Sequence, residues 1–109
     1  MTAFTVQGDG VTLHGDDDGE GAPIVLLHGL SATRRYVLHG STTLVRDGWR
    51  LIAYDSRGHG ESDAAPAPDA YDYATMVQDA VRVMDDRDVP RAAVVGMSMG
   101  AAVGAALAL

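Results

Sequence analysis

A serine with glycine two residues to either side, Gly96-Met97-Ser98-Met99-Gly100, is the segment of this chain best equipped for chemistry. The apolar run Ala92-Ala93-Val94-Val95 before it reads as a buried strand, and residues 101–109 after it read as a buried helix. A sharp strand-to-helix turn holds its serine on strained backbone, with the hydroxyl pushed clear of the sheet. Glycine suits positions 96 and 100 because a Cβ there would collide in so tight a turn. A serine hydroxyl attacks a carbonyl only when a base takes its proton, so the turn supplies half of a mechanism. The backbone N–H of Met99, at a helix N-terminus, is a donor already placed for the oxyanion that such an attack creates. The competing reading makes Ser98 the N-cap of a helix that follows a glycine-rich turn.

Two further polar segments also follow apolar runs. His28-Gly29-Leu30 comes after Ile24-Val25-Leu26-Leu27, and residues 55–63 come after Leu51-Ile52-Ala53-Tyr54. Apolar runs without polar alternation predict strands covered on both faces, as in a parallel sheet. Residues 33–45, closed by Arg46-Asp47-Gly48, predict a helix. So do residues 71–88, where Tyr73, Met76, Val77, Ala80, Val81 and Met84 recur at helical spacing before Pro90. Met76 and Met84 read as core fillers on that face. Ahead of these elements, residues 4–7 and 11–14 flank Gly8-Asp9-Gly10 as a β-hairpin, and residues 15–21 read as an acidic, solvated turn. The order predicts an α/β fold with right-handed crossovers and a mainly parallel sheet preceded by a β-hairpin. Sites in such sheets form outside the carboxyl ends of the strands, where all three polar segments begin.

Composition narrows the function classes. At 109 residues the chain is one domain at most, and 47% hydrophobic content suits a packed core. The lack of cysteine excludes disulfides and thiol chemistry. The net charge of −7, with eight arginines and no lysine, disfavours nucleic acid and anionic membrane as partners. Residues 1–9 show no leader pattern, so a cytoplasmic address is expected, and the alanine-rich run at the C-terminus is too short to span a bilayer. The aspartates of the 15–21 segment do not have calcium-loop spacing, and no metal site is expected. Gly58-His59-Gly60-Glu61-Ser62-Asp63 lacks the third glycine of a dinucleotide fingerprint, and without lysine there is no P-loop. No cofactor is expected, and the oligomeric state stays open.

The three segments together resemble the α/β-hydrolase superfamily along the whole chain. The markers are Leu26-Leu27-His28-Gly29-Leu30, Tyr54-Asp55-Ser56-Arg57-Gly58-His59-Gly60-Glu61-Ser62-Asp63 and the Gly96–Gly100 pentapeptide, in that order. The resemblance implies that Ser98 is the nucleophile of an esterase-type hydrolase acting on a small-molecule ester, thioester or amide. It implies an oxyanion hole built from the N–H groups of Leu30 and Met99, with His28, Gly29, Gly96 and Gly100 as its support. Relatives that open epoxides or remove halides carry aspartate where this chain has Ser98. The family's base is a histidine late in the domain, after an Asp or Glu, whereas His14, His28, His39 and His59 all precede Ser98. His28 and His59 are therefore read as structural. Residues 55, 57, 59, 61 and 62 are expected to fix their loop by local hydrogen bonds. The resemblance further implies an incomplete domain over 1–109, with the hairpin at 1–22 and the hydrolase core at 23–109, and no turnover by these residues alone. The alternatives are a non-catalytic small-ligand-binding protein or an inactive truncated chain on the same scaffold.

Overall fold

The computed structural model describes residues 2–38 and 42–109. Five strands form one sheet in the order β1-β2-β4-β3-β5: β1 Thr2–Gln7, β2 Thr12–Asp18, β3 Ala22–Leu27, β4 Trp49–Tyr54 and β5 Ala93–Gly96. β3 pairs in parallel with β4 on one side and β5 on the other, and the antiparallel β1–β2 hairpin extends the sheet beyond β4. Within the helix expected over 33–45, the described residues form α1 Arg34–Leu38 and α2 Thr42–Arg46. Residues 39–41 between them, His39 included, lie outside the described residues. A 3₁₀ turn, Pro68–Tyr71, precedes α3 Tyr73–Asp86, and α4 Met99–Ala108 follows β5.

The apolar runs work as two-faced strands. Val25, Leu27, Ile52 and Tyr54 pack with Met76, Ala80, Val83 and Val103 of α3 and α4. Ile24, Leu26, Leu51 and Ala53 point to the opposite face, where Val37, Leu38 and Val45 of α1 and α2 cover them. Period-2 alternation thus sends successive apolar residues into two different cores. β5 departs from this pattern: Val95 is 49% exposed, and among the described residues β5 has only β3 as a neighbour.

α3 carries its own start and stop. The Asp72 carboxylate accepts the Thr75 N–H at 2.8 Å, a side-chain cap that sets the helix start two residues later than the expected 71. At the other end Val89 N–H donates to Met84 O and Asp88 N–H to Asp85 O, with Asp88 at φ 58°. This is a Schellman ending with aspartate at the position usually held by glycine.

Residues 15–18 do not form the expected solvated turn. They continue β2, pairing with β1 and with β4. The reason is ionic: Asp16 pairs with Arg34 at 2.7 Å, and Asp17 takes Arg50 through two bonds of 2.9 and 2.6 Å. Cross-strand and helix-borne arginines override the poor strand propensity of aspartate. Gly15 fits because the Phe4 ring and the Ala53 carbonyl occupy the space a Cβ would need.

The loop after β4 is tied to α3 by a buried ion pair. Arg57, 1% exposed, donates to both oxygens of Asp79 at 2.7 and 2.9 Å, and also to the carbonyls of Ala70 and Asp9. The bonds to Asp79 raise the guanidinium pKa further above its usual range. Removing one partner of such a pair strands the other charge. Asp79→Ala is therefore expected to cost about 3–5 kcal/mol of stability, read as a lowered urea midpoint.

Candidate active site

β3, β4 and β5 run parallel, so the segments that follow them converge at one end of the sheet. The helix after β3 covers one face and the helix after β5 covers the other. That end is the switch point of the sheet, where a crevice opens between the diverging connections.

Ser98 sits in this crevice at φ 55°, ψ −114°, exposed, with no capping hydrogen bond from its side chain. It occupies the N-cap position of α4 without doing the work of a cap. A non-glycine residue held at positive φ costs about 1–3 kcal/mol, and the surroundings enforce it. Met97 N–H donates to Leu27 O at 3.0 Å, and the N–H groups of Ala101 and Ala102 donate to Ser98 O. A Cβ on Gly96 would meet the Gly100 and Ala101 backbone, and one on Gly100 would overlap the carbonyls of Leu27 and His28.

Gly29 to Ala32 form a turn closed by Ala32 N–H on Gly29 O at 3.1 Å. Its third residue, Ser31, lies at φ 61°, where a type II turn favours glycine. The turn lies against the Ser98 segment: a Cβ on Gly29 would be 3.2 Å from Met97 O and 3.3 Å from Ser98 Cβ. Neither the Leu30 N–H nor the Met99 N–H has an acceptor among the described residues. The Met99 N–H is one of the orphan amides that every helix start carries.

The histidines near the crevice are occupied. Buried His28 accepts Ser56 N–H at Nε2, 2.9 Å, so its proton is on Nδ1, which faces Gly29 O at 2.8 Å. Burial is the largest influence on it and holds its pKa below 6.5. His59 accepts Ser31 N–H at Nε2, 3.2 Å, and its Nδ1 donates to Arg57 O at 3.0 Å. No described histidine hydrogen-bonds the Ser98 hydroxyl.

The 55–63 loop is fixed partly as expected and partly by residues the sequence did not reveal. Buried Asp55 accepts the N–H groups of Arg34 (2.8 Å) and Glu61 (3.0 Å) and pairs with the Arg34 guanidinium. Ser62 donates to Asp55 O and accepts His14 N–H. Arg34 also bonds Asp16 and Glu61, so one arginine joins α1, β2 and this loop. No spacing rule singles out Arg34. Asp79 did leave a signal, as a charge on the buried stripe of α3 between Met76 and Val83.

A cleft of about 540 Å³ results, lined by Leu30, His59, Tyr71, Tyr73, Met76, Ser98 and Met99. It brings together three of the residues singled out from sequence, while Gly29, Gly96, Gly100 and His28 stand behind them. No cluster of three or more His, Asp or Glu residues placed to hold a metal occurs among the described residues. No described helix is long and apolar enough to cross a membrane. Gly100→Ala is expected to destabilise the protein by about 1–3 kcal/mol through overpacking, measured by chemical denaturation.

The sequence matches the family model described as alpha/beta hydrolase fold over residues 22–109. It is 37% identical over 93 residues to the AB hydrolase superfamily protein YisY of Bacillus subtilis, covering 85% of this chain and 34% of that protein. Epoxide hydrolase A from Mycobacterium thermoresistibile superposes with a TM-score of 0.91 at 33% identity, covering 99% of this chain and 34% of that one. The esterase EaEST from Exiguobacterium antarcticum gives 0.89 at 32% identity, covering 97% and 39%. The chain spans about a third of the length of the curated relatives it matches.

Proposed function

The chain belongs to the α/β-hydrolase fold family, and from that premise we propose that Ser98 is the nucleophile of a hydrolase acting on carboxylic esters, thioesters or amides. One observation carries the reading: an exposed serine held at φ 55° beside two unpaired backbone N–H groups, Leu30 and Met99, on a shared cleft. Ser98 Oγ attacks the carbonyl carbon as a base removes its proton. The oxygen becomes an oxyanion received by the two N–H groups, the leaving group departs with a proton, and water hydrolyses the acyl-enzyme. Likeness of fold to an epoxide hydrolase and to an esterase does not choose between the two chemistries. The serine at the turn does, because the epoxide-opening members of the family resembled here carry aspartate there.

The base is not one of the described histidines. In the family resembled it follows the last strand of the domain, with its acidic partner before it, whereas every histidine of these 109 residues precedes Ser98. Loss of the base from a serine hydrolase costs roughly 10⁶ in turnover, with about 10³–10⁴ over water left to the oxyanion hole. The mechanism proposed needs no cofactor, and the substrate is a small molecule.

Two measurements on the 109-residue protein test this. A fluorophosphonate should modify Ser98, detected by peptide mass spectrometry, faster as the pH rises, and should leave Ser98→Ala unlabelled. Hydrolysis of p-nitrophenyl acetate should run roughly 10⁶-fold below that of a serine hydrolase with its base in place. A folded protein whose Ser98 is labelled no faster than its other serines would remove the advantage the oxyanion hole should leave it, overturn the nucleophile and favour the ligand-binding reading. Strong turnover abolished by Ser98→Ala would overturn the placement of the base outside these residues.

A further inference from the structure

The two loops that flank the cleft exchange imidazoles. His28 and Ser31 belong to the loop after β3, whereas Ser56 and His59 belong to the loop after β4. Ser56 N–H donates to His28 Nε2 at 2.9 Å, and Ser31 N–H donates to His59 Nε2 at 3.2 Å. Each loop thus supplies a ring nitrogen to a backbone amide of the other, with the ring centroids 5.1 Å apart. Leu30 lies between the two anchored residues of its loop. We propose that this reciprocal pair is a clasp that positions the Leu30 N–H, that His28 and His59 are positioning residues, and that the clasp is closed only while both imidazoles are neutral. The use of the Leu30 N–H as an oxyanion donor rests on the hydrolase reading; the clasp does not.

Both rings have their second nitrogen occupied by a carbonyl, Gly29 O for His28 and Arg57 O for His59. A proton added at either Nε2 sets one donor against another, and that arm opens. The Ser31 arm matters most to geometry, because Ser31 sits at φ 61° in the turn that carries Leu30. Arg34 N–H on Asp55 fixes the far end of the loop but leaves the Gly29–Ala32 turn to the clasp.

The groups facing the pair set the direction of its pH response. On His28, burial lowers the pKa, the Gly29 carbonyl raises it, His59 lowers it and Asp55 at the end of β4 raises it, for a net lowering. His59 faces His28 and, across the cleft, Tyr71 of the 3₁₀ turn and Tyr73 of α3. Arg34 of α1 and Glu61 are bonded to one another and to Asp55, while Arg57 is turned onto Asp79 of α3. With the folded value below 6.5, the Ser56 arm is whole above pH 6.5 and is lost as pH falls from there through the lowered value.

Amide hydrogen exchange by NMR, with imidazole ¹⁵N spectra recorded alongside, tests the clasp from about pH 8 to pH 5. Both rings should carry their proton on Nδ1 at the upper end. On acidification below pH 6.5 the protection factor of Ser56 should fall, by roughly tenfold per pH unit as His28 titrates. Gly58, whose N–H donates to Asp63 O at 2.8 Å in the same loop, should keep its protection. His59→Gln offers an acceptor oxygen in place of the ring nitrogen, so Ser31 should stay protected. His59→Ala should lose Ser31 protection at every pH. Flat Ser56 protection in the unaltered protein, or a proton on Nε2 of either ring, would overturn the clasp even if both variants fail to fold. Fluorophosphonate labelling of Ser98 is scored separately. Amides that respond while Ser98 is labelled no faster than the other serines keep the clasp and remove the hydrolase reading, and the reverse pattern does the opposite.

Discussion

Backbone meets backbone where the carboxyl end of β3 passes under the start of α4, and the cleft is organised around that contact. Gly100 lies so close to the Leu27 and His28 carbonyls, and Gly96 so close to Gly100, that neither can carry a Cβ. Met97 N–H donates to Leu27 O in the same narrow space. This approach forces the chain to turn within two residues, and Ser98 absorbs the turn in its own φ and ψ. Its exposure and its nearness to Gly29 follow from the same constraint. Close-packed surroundings can hold such a residue because they leave it no cheaper conformation.

The loops above this contact are fixed by polar groups, since few apolar side chains reach them. Asp55 gathers two backbone amides and a guanidinium, Ser62 bridges Asp55 to the hairpin, and Arg57 reaches Asp79 in α3. Buried charges are costly unless paired, so this network is a source of specificity: it fixes where the loops lie. The neutral histidines complete it by accepting the amides that the carboxylates do not.

Ion pairing also explains where sequence patterns mislead. Asp16, Asp17 and Asp18 in a row suggest a solvated turn, because aspartate disfavours strands and nothing local names a cation for it. The arginines that hold Asp16 and Asp17 sit 18 and 33 residues away. β5 reads as a covered strand because its composition is apolar, and apolar composition cannot say which neighbours are present.

By itself the sequence determined the parallel core, the positions of β3, β4 and β5 within a residue or two, and Ser98 between its glycines. Those features rest on short-range physics: apolar runs, helical spacing, and the steric demand for glycine in a tight turn. Through the resemblance of three motifs in order it also singled out Leu30 as a candidate oxyanion donor. Only the tertiary structure decided that His28 and His59 accept amides from one another's loops, that Arg34 joins three carboxylates, and that Arg57 pairs with Asp79. These contacts link residues 22 to 28 apart in most cases, and partners at that range are chosen by the fold that brings strand ends together, which no local pattern encodes.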